Sequence, residues 1–112
     1  MNIDKNNILN LLEEKINVSL YPLKMGGEVN EKSLKELLFL SEEATRLFKH
    51  EALVPKKLLS EIYLASVGIK IENEFINSKL LSEVSSGMMN CFNLILSGES
   101  VDDKKEIGPR II

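Results

Sequence analysis

A chain of 112 residues makes one domain, long enough to bury a hydrophobic core without disulfides or metals to staple it. The 14 basic and 17 acidic residues are mixed along the chain and leave a net charge of −3, so no global field draws it to nucleic acid. A single cysteine, Cys91, excludes an intramolecular disulfide framework, and no apolar run approaches the roughly 20 residues that span a bilayer. The opening MNIDKNNILN lacks the cationic-then-apolar pattern of a secretory signal, so the expectation is a cytoplasmic protein with no membrane partner.

The first predicted helix covers about 3–17, where Ile8, Leu9, Leu12 and Ile16 recur at helical spacing behind Asp4, which complements the helix dipole. Residues 17–30 read as a loop. Pro22 disfavours helix for Tyr21, Gly26-Gly27 is a turn signal, and Leu20, Tyr21, Leu23 and Met25 are apolar enough to lie across the core. A second helix over 31–49 follows the cap Asn30, with Leu34, Leu37, Leu38, Ser41, Ala44, Thr45 and Phe48 on its inner face. The short stretch His50–Val54 turns the chain back, and Pro55 suits the first turn of a third helix over 55–72. Leu58, Leu59, Ile62, Ala65, Ser66 and Ile69 form its stripe. Residues 67–72 also alternate like a strand, but a lone strand has no partner here, so helix is preferred.

The fourth helix, 78–97, organises the rest. Leu81, Val84, Met88, Cys91, Phe92 and Ile95 share one face, Ser85, Ser86 and Gly87 form a small-residue waist where a neighbouring helix can come close, and Gly98 can end the helix in the left-handed region. The tail 98–112 closes on Ile111 and Ile112, an apolar end that predicts docking onto the bundle or use in a contact. The expected fold is all-α: a single domain, 1–112, forming a small antiparallel (up-down) bundle of about four helices with an extended C-terminal tail.

Chemistry is harder to find. Structural zinc needs about four Cys or His ligands, and only Cys91 and His50 exist. Glu13-Glu14 and Glu42-Glu43 read as solvated helix faces rather than an all-carboxylate site. Cys91 sits on an apolar face, where a thiol is structural rather than activated, and His50 lies at a helix end, where it suits capping. The glycine pair 26–27 lacks the strand and Lys-Ser/Thr of a phosphate loop. A helix-turn-helix reading founders on the helix after Pro55: Lys56, Lys57, Ser60, Glu61 and Tyr63 include no Arg, Asn or Gln to read bases. No catalytic, metal or cofactor site is expected, so the residues favour a non-enzymatic binding protein.

The C-terminal half adds a resemblance. Leu58-Leu59-x-x-Ile62-Tyr63, Phe92-Asn93-Leu94-Ile95-Leu96, Gly98-Glu99, Asp102-Asp103 and Gly108-Pro109-Arg110-Ile111-Ile112 together resemble small bacterial immunity-type proteins of polymorphic or contact-dependent toxin systems. That resemblance implies a cytoplasmic protein that binds a cognate toxin domain and occludes its active site. Many toxins of this type are basic, so an acidic surface would suit the partner. Glu72, Glu74, Glu99, Asp102 and Asp103 are the candidate partner-binding residues, if the end of the third helix and the start of the tail come together; a merely solvated acidic end is the plainer alternative. The other functional reading is a helical regulatory or adaptor module that binds another protein or itself. A DNA-binding regulator stands third.

Overall fold

The computed structural model describes residues 2–103, which form four helices and, among the described residues, no strand. Helix α1 is Ile8–Gly26, α2 Glu31–Leu47, α3 Lys56–Ile76 and α4 Lys79–Ser97. The small all-α bundle expected from the sequence is present.

Pairs of side chains fix the helix directions. Lys15 of α1 meets Glu36 of α2 at 2.7 Å, and Lys5 before α1 meets Glu51 beyond α2, also at 2.7 Å, so these helices are antiparallel. Ser66 with Ser85, and Tyr63 with Phe92, make α3 and α4 antiparallel as well. Glu13 with Lys57, and Leu20 over Gly68, set α1 parallel to α3. Leu38 over Gly87, and His50 N–H on the Gly98 carbonyl at 3.0 Å, set α2 parallel to α4.

The chain therefore alternates up and down, but its seating differs from a simple ring. α1 packs on α2 and α3, α4 packs on α3 and α2, and α2 faces α3 across the diagonal. Loop length explains this. The links 27–30 and 77–78 are too short for anything but adjacent helices, whereas 48–55 can cross the bundle's end.

Three boundaries differ from the sequence expectation. α1 starts at Ile8 rather than near residue 3, because Asp4 instead accepts from Asn6 and Asn7 N–H in a turn before it. The predicted loop 17–30 is mostly helix: α1 runs on through Pro22 to Gly26. An interior proline costs about 3 kcal/mol. Against it, Leu20 and Leu23 continue the buried stripe of Ile8 and Leu12, and each such side chain contributes about 1.5–3 kcal/mol when fully buried. Burial of the two leucines is enough to hold the helix past the proline. It stops where Gly27 turns left-handed (φ 68°), donating to the Leu23 carbonyl at 2.9 Å.

The third difference is α3, which continues past 72 to Ile76, so residues 67–72 are helix and the strand-like alternation is incidental. Gly68 does not mark an end. It is where α1 crosses, with Leu20 Cδ2 only 3.4 Å from the position a Cβ would take. The helix ends at Asn77, left-handed at φ 60°, and Asn73 Oδ1 accepts from Ser78 N–H at 2.6 Å. Ser78 then caps α4, its hydroxyl accepting from Leu81 N–H at 3.3 Å, just as Asn30 caps α2 through Ser33 N–H at 3.2 Å.

The small-residue waist of α4 is used on both sides. Ser85 meets α3, and Gly87 meets α2 so closely that a Cβ there would stand 2.7 Å from Leu38 Cδ1. Phe92, expected inside, is only half-buried and packs at the rim on Tyr63, ring centroids 5.2 Å apart.

The first tail residues are docked. Gly98 ends α4 at φ 78°, with Glu99 N–H on the Leu94 carbonyl at 2.9 Å. Ser100 is buried, and Val101 N–H donates to Thr45 Oγ1 at 3.1 Å. The expectation for Ile111 and Ile112 falls outside the described residues.

One buried group lacks a partner. The Ser19 hydroxyl, facing the core from α1, has no hydrogen-bond partner among the described residues. Ser19→Ala removes that desolvated hydroxyl and improves helix propensity, so it should stabilise the fold by about 1 kcal/mol. Urea unfolding reads the change; a loss of stability would mean that the hydroxyl is satisfied.

Candidate functional site

The five acidic candidates do not gather in one place. Glu72 and Glu74 lie in the last turns of α3, whereas Glu99, Asp102 and Asp103 follow the end of α4. Because α3 and α4 are antiparallel, the length of α4, roughly 28 Å at 1.5 Å per residue, separates the two groups. Asp102 and Asp103 have partners within the chain. Arg46 holds both Asp102 oxygens, through Nε at 2.9 Å and Nη2 at 3.2 Å, and also pairs with Glu43. Lys49 Nζ is 2.6 Å from Asp103 Oδ1, and that hydrogen bond, with a second from Ser100 N–H, holds the Asp103 carboxyl below its ordinary range. These two aspartates tie the chain after α4 to the end of α2.

The reactive residues are dispersed. Cys91 is buried, and desolvation pushes its thiol up to about 12, so it stays protonated and unreactive near neutrality. The exposed His50 adopts φ 64° and serves α4 through its backbone N–H rather than through its imidazole. Among the described residues no group of three or more His, Cys, Asp or Glu is placed to hold a metal ion. No helix among them is long and apolar enough to cross a membrane.

A groove of about 790 Å³ lies between α3 and α4. The sequence signal for it was the waist of α4, legible as a place of close approach but not as the floor of a groove. Ser66 and Ser85 form that floor. Each hydroxyl donates to the other's backbone carbonyl, at 2.8 and 2.9 Å, which draws the helices together with only small side chains between them. The walls are longer: Tyr63, Lys70 and Glu74 from α3, and Met89, Asn90 and Asn93 from α4. Of the five acidic candidates, only Glu74 lies here.

This lining is suited to a polypeptide. Asn90 and Asn93 are exposed on α4, and their amides both donate and accept, as a peptide backbone requires. Tyr63 and Met89 supply apolar contact, the methionine with a flexible side chain that can adapt its shape. Lys70 and Glu74 bring both signs of charge. Small-molecule pockets are lined predominantly by hydrophobic groups with few polar ones, whereas most residues lining this groove are Ser, Asn, Lys or Glu, with Tyr63, Val67 and Met89 supplying the apolar contact.

Fold and groove together define a four-helix domain with a polar, small-floored cleft between its last two helices. Compared with protein families, curated proteins and solved structures, the chain matches none of them.

Proposed function

We propose that this is a non-enzymatic protein-binding module, and more specifically an immunity-type inhibitor that neutralises a cognate bacterial toxin domain by occluding its active site. The α3–α4 groove is the observation that carries the reading. Its close-packed serine floor lets a partner segment sit deep, and its amides and mixed charges match an extended chain or loop. The inert Cys91, whose burial outweighs the nearby Arg46 charge and pushes the thiol up to about 12, supports a binding role over a catalytic one. Glu74 is the acidic candidate this reading keeps in the interface; Glu72, Glu99, Asp102 and Asp103 lie beyond the groove.

The test begins with tagged full-length protein as bait in lysate of the source cell. The expected catch is one toxin-like polypeptide at equal stoichiometry that survives high-salt washing. Ser86→Arg and Asn90→Arg, both at exposed positions of α4, place a guanidinium in the groove and should weaken that complex about 100-fold, the scale of an interface hot spot. Inhibition of the captured polypeptide should fall in parallel. Unchanged affinity in both variants would remove the groove from the interface.

A further inference from the structure

The outer sides of α1 and α3 carry a second apolar seam that the core does not use. Val18, Tyr21 and Met25 on α1, and Leu64, Ile71 and Phe75 on α3, are all exposed large hydrophobic residues. Their spacings, three and four along α1 and seven and four along α3, are those of a helix face built to meet another helix. These same helices bury Leu12 and Leu23, or Ile62 and Ile69, on their opposite sides, so each is apolar front and back. A helix of that kind is normally covered on both faces. By contrast, α2 has one exposed large apolar residue, Phe39, among charged neighbours such as Lys35 and Glu36.

The two seams lie on adjacent helices. α1 and α3 run parallel, with Leu20 over Gly68 where they touch, so Tyr21 stands at a level between Leu64 and Ile71. The Lys24 stem also lies over Gly68, Cε 3.8 Å from where a Cβ would be, so its methylenes cover the line between the seams and its ammonium borders it. Exposure is high: 66% for Tyr21, 69% for Met25 and 84% for Phe75.

We propose that this α1–α3 face joins two copies of the chain. The area argues for a second copy. From these exposures the six residues present roughly 700 Å² in all, polar atoms included, the scale of the largest apolar patch on a typical monomer, roughly 300–600 Å². Doubled by a two-fold axis and fully covered, that becomes at most roughly 1,400 Å², which reaches the range of about 1,200–2,000 Å² of standard stable interfaces. Composition argues the same way: all six residues are large and apolar or aromatic, and homodimer interfaces are the more apolar class. An isologous contact also satisfies both seams at once, since each copy presents the same patch. None of the six residues lines the groove between α3 and α4, so the self-association can be tested separately from the proposed inhibitor role.

Light scattering on the full chain, from about 1 µM to about 1 mM, covers the range of affinities in question. The expected result is a mass that rises with concentration from 12.6 kDa to twice that value. Tyr21→Glu combined with Phe75→Glu should hold the mass at the monomer value, with dimerisation weakened at least about 100-fold. Ile71→Lys should do the same to a lesser degree, and Phe39→Glu on α2 should leave the dimer intact. All these positions are exposed, so helical circular dichroism should be unchanged in each variant. A wild-type chain still monomeric at the highest concentration would overturn the proposal, as would a dimer that survives the double substitution or dissolves in Phe39→Glu. Ser86→Arg in the groove should not alter the mass, which keeps this test separate from that of the inhibitor role.

Discussion

Leu23→Ala should destabilise the protein by about 2–5 kcal/mol, although Leu23 follows a proline in a stretch that reads as a loop. The side chain is fully buried, one turn beyond Leu20 and at the level where α1 crosses α3. Truncation forfeits the transfer energy of the removed carbons and leaves a cavity that helices on two sides cannot easily close. The total stability of a domain this size is only about 5–15 kcal/mol, so the loss should appear as a large fall in the urea midpoint. Met25→Ala, two residues on and exposed, is the matched control and should change stability by no more than about 0.5 kcal/mol. Equal, small effects at both positions would mean that the second half of α1 is not part of the core.

The second large effect is expected at the crossing of α3 and α4. Ser85→Leu removes the hydroxyl that donates to the Ser66 carbonyl and inserts a branched side chain where two backbones are held by hydrogen bonds of 2.8 and 2.9 Å. Loss of the hydrogen bond accounts for about 0.5–1.5 kcal/mol. Overpacking a tight contact adds typically 1–3 kcal/mol, because the helices must separate or the leucine must leave its rotamer. The sum should be about 1.5–4.5 kcal/mol by thermal unfolding. Ser85→Ala, which loses only the bond, should remain near 1 kcal/mol. If both variants cost the same, the helices are not in close contact at this point.

The parts of the fold legible in the sequence were those where local and tertiary signals agree. Asn30 caps a helix whose apolar stripe begins within a turn, and Gly98 ends α4 in the left-handed conformation its residue type allows. At Pro22 the signals conflict. Local stereochemistry opposes helix, but burial of Leu20 and Leu23 outweighs it, and only the tertiary structure shows how deeply those two side chains are set. Gly68 misleads for a related reason: it resembles a helix stop, yet its missing Cβ is what admits Leu20 from α1. The diagonal seating of α2 and α3 depends on where an eight-residue link goes, and no residue within 48–55 declares it.

Of the candidate site, the sequence disclosed the small residues and not the shape. Ser85 and Ser86 were visible as a place of close approach, but the pairing of Ser85 with Ser66 depends on the register between two helices. The acidic set was assembled from chain order, which places the end of α3 near the start of the tail only if the helix between them is ignored. With α4 spanning the bundle, Glu72 and Glu74 stand at one end, and Asp102 and Asp103 are held by Arg46 and Lys49 at the other. The length of α4 was already sufficient to show this.

The central claim, that the α3–α4 groove receives a protein partner, is tested most directly by amide hydrogen exchange on the complex with the captured polypeptide. Binding should slow exchange in α3 from about Tyr63 to Glu74 and in α4 from about Ser82 to Asn93, while α2 is unaffected. Protection confined to other surfaces, with the groove exchanging as in the free protein, would contradict it.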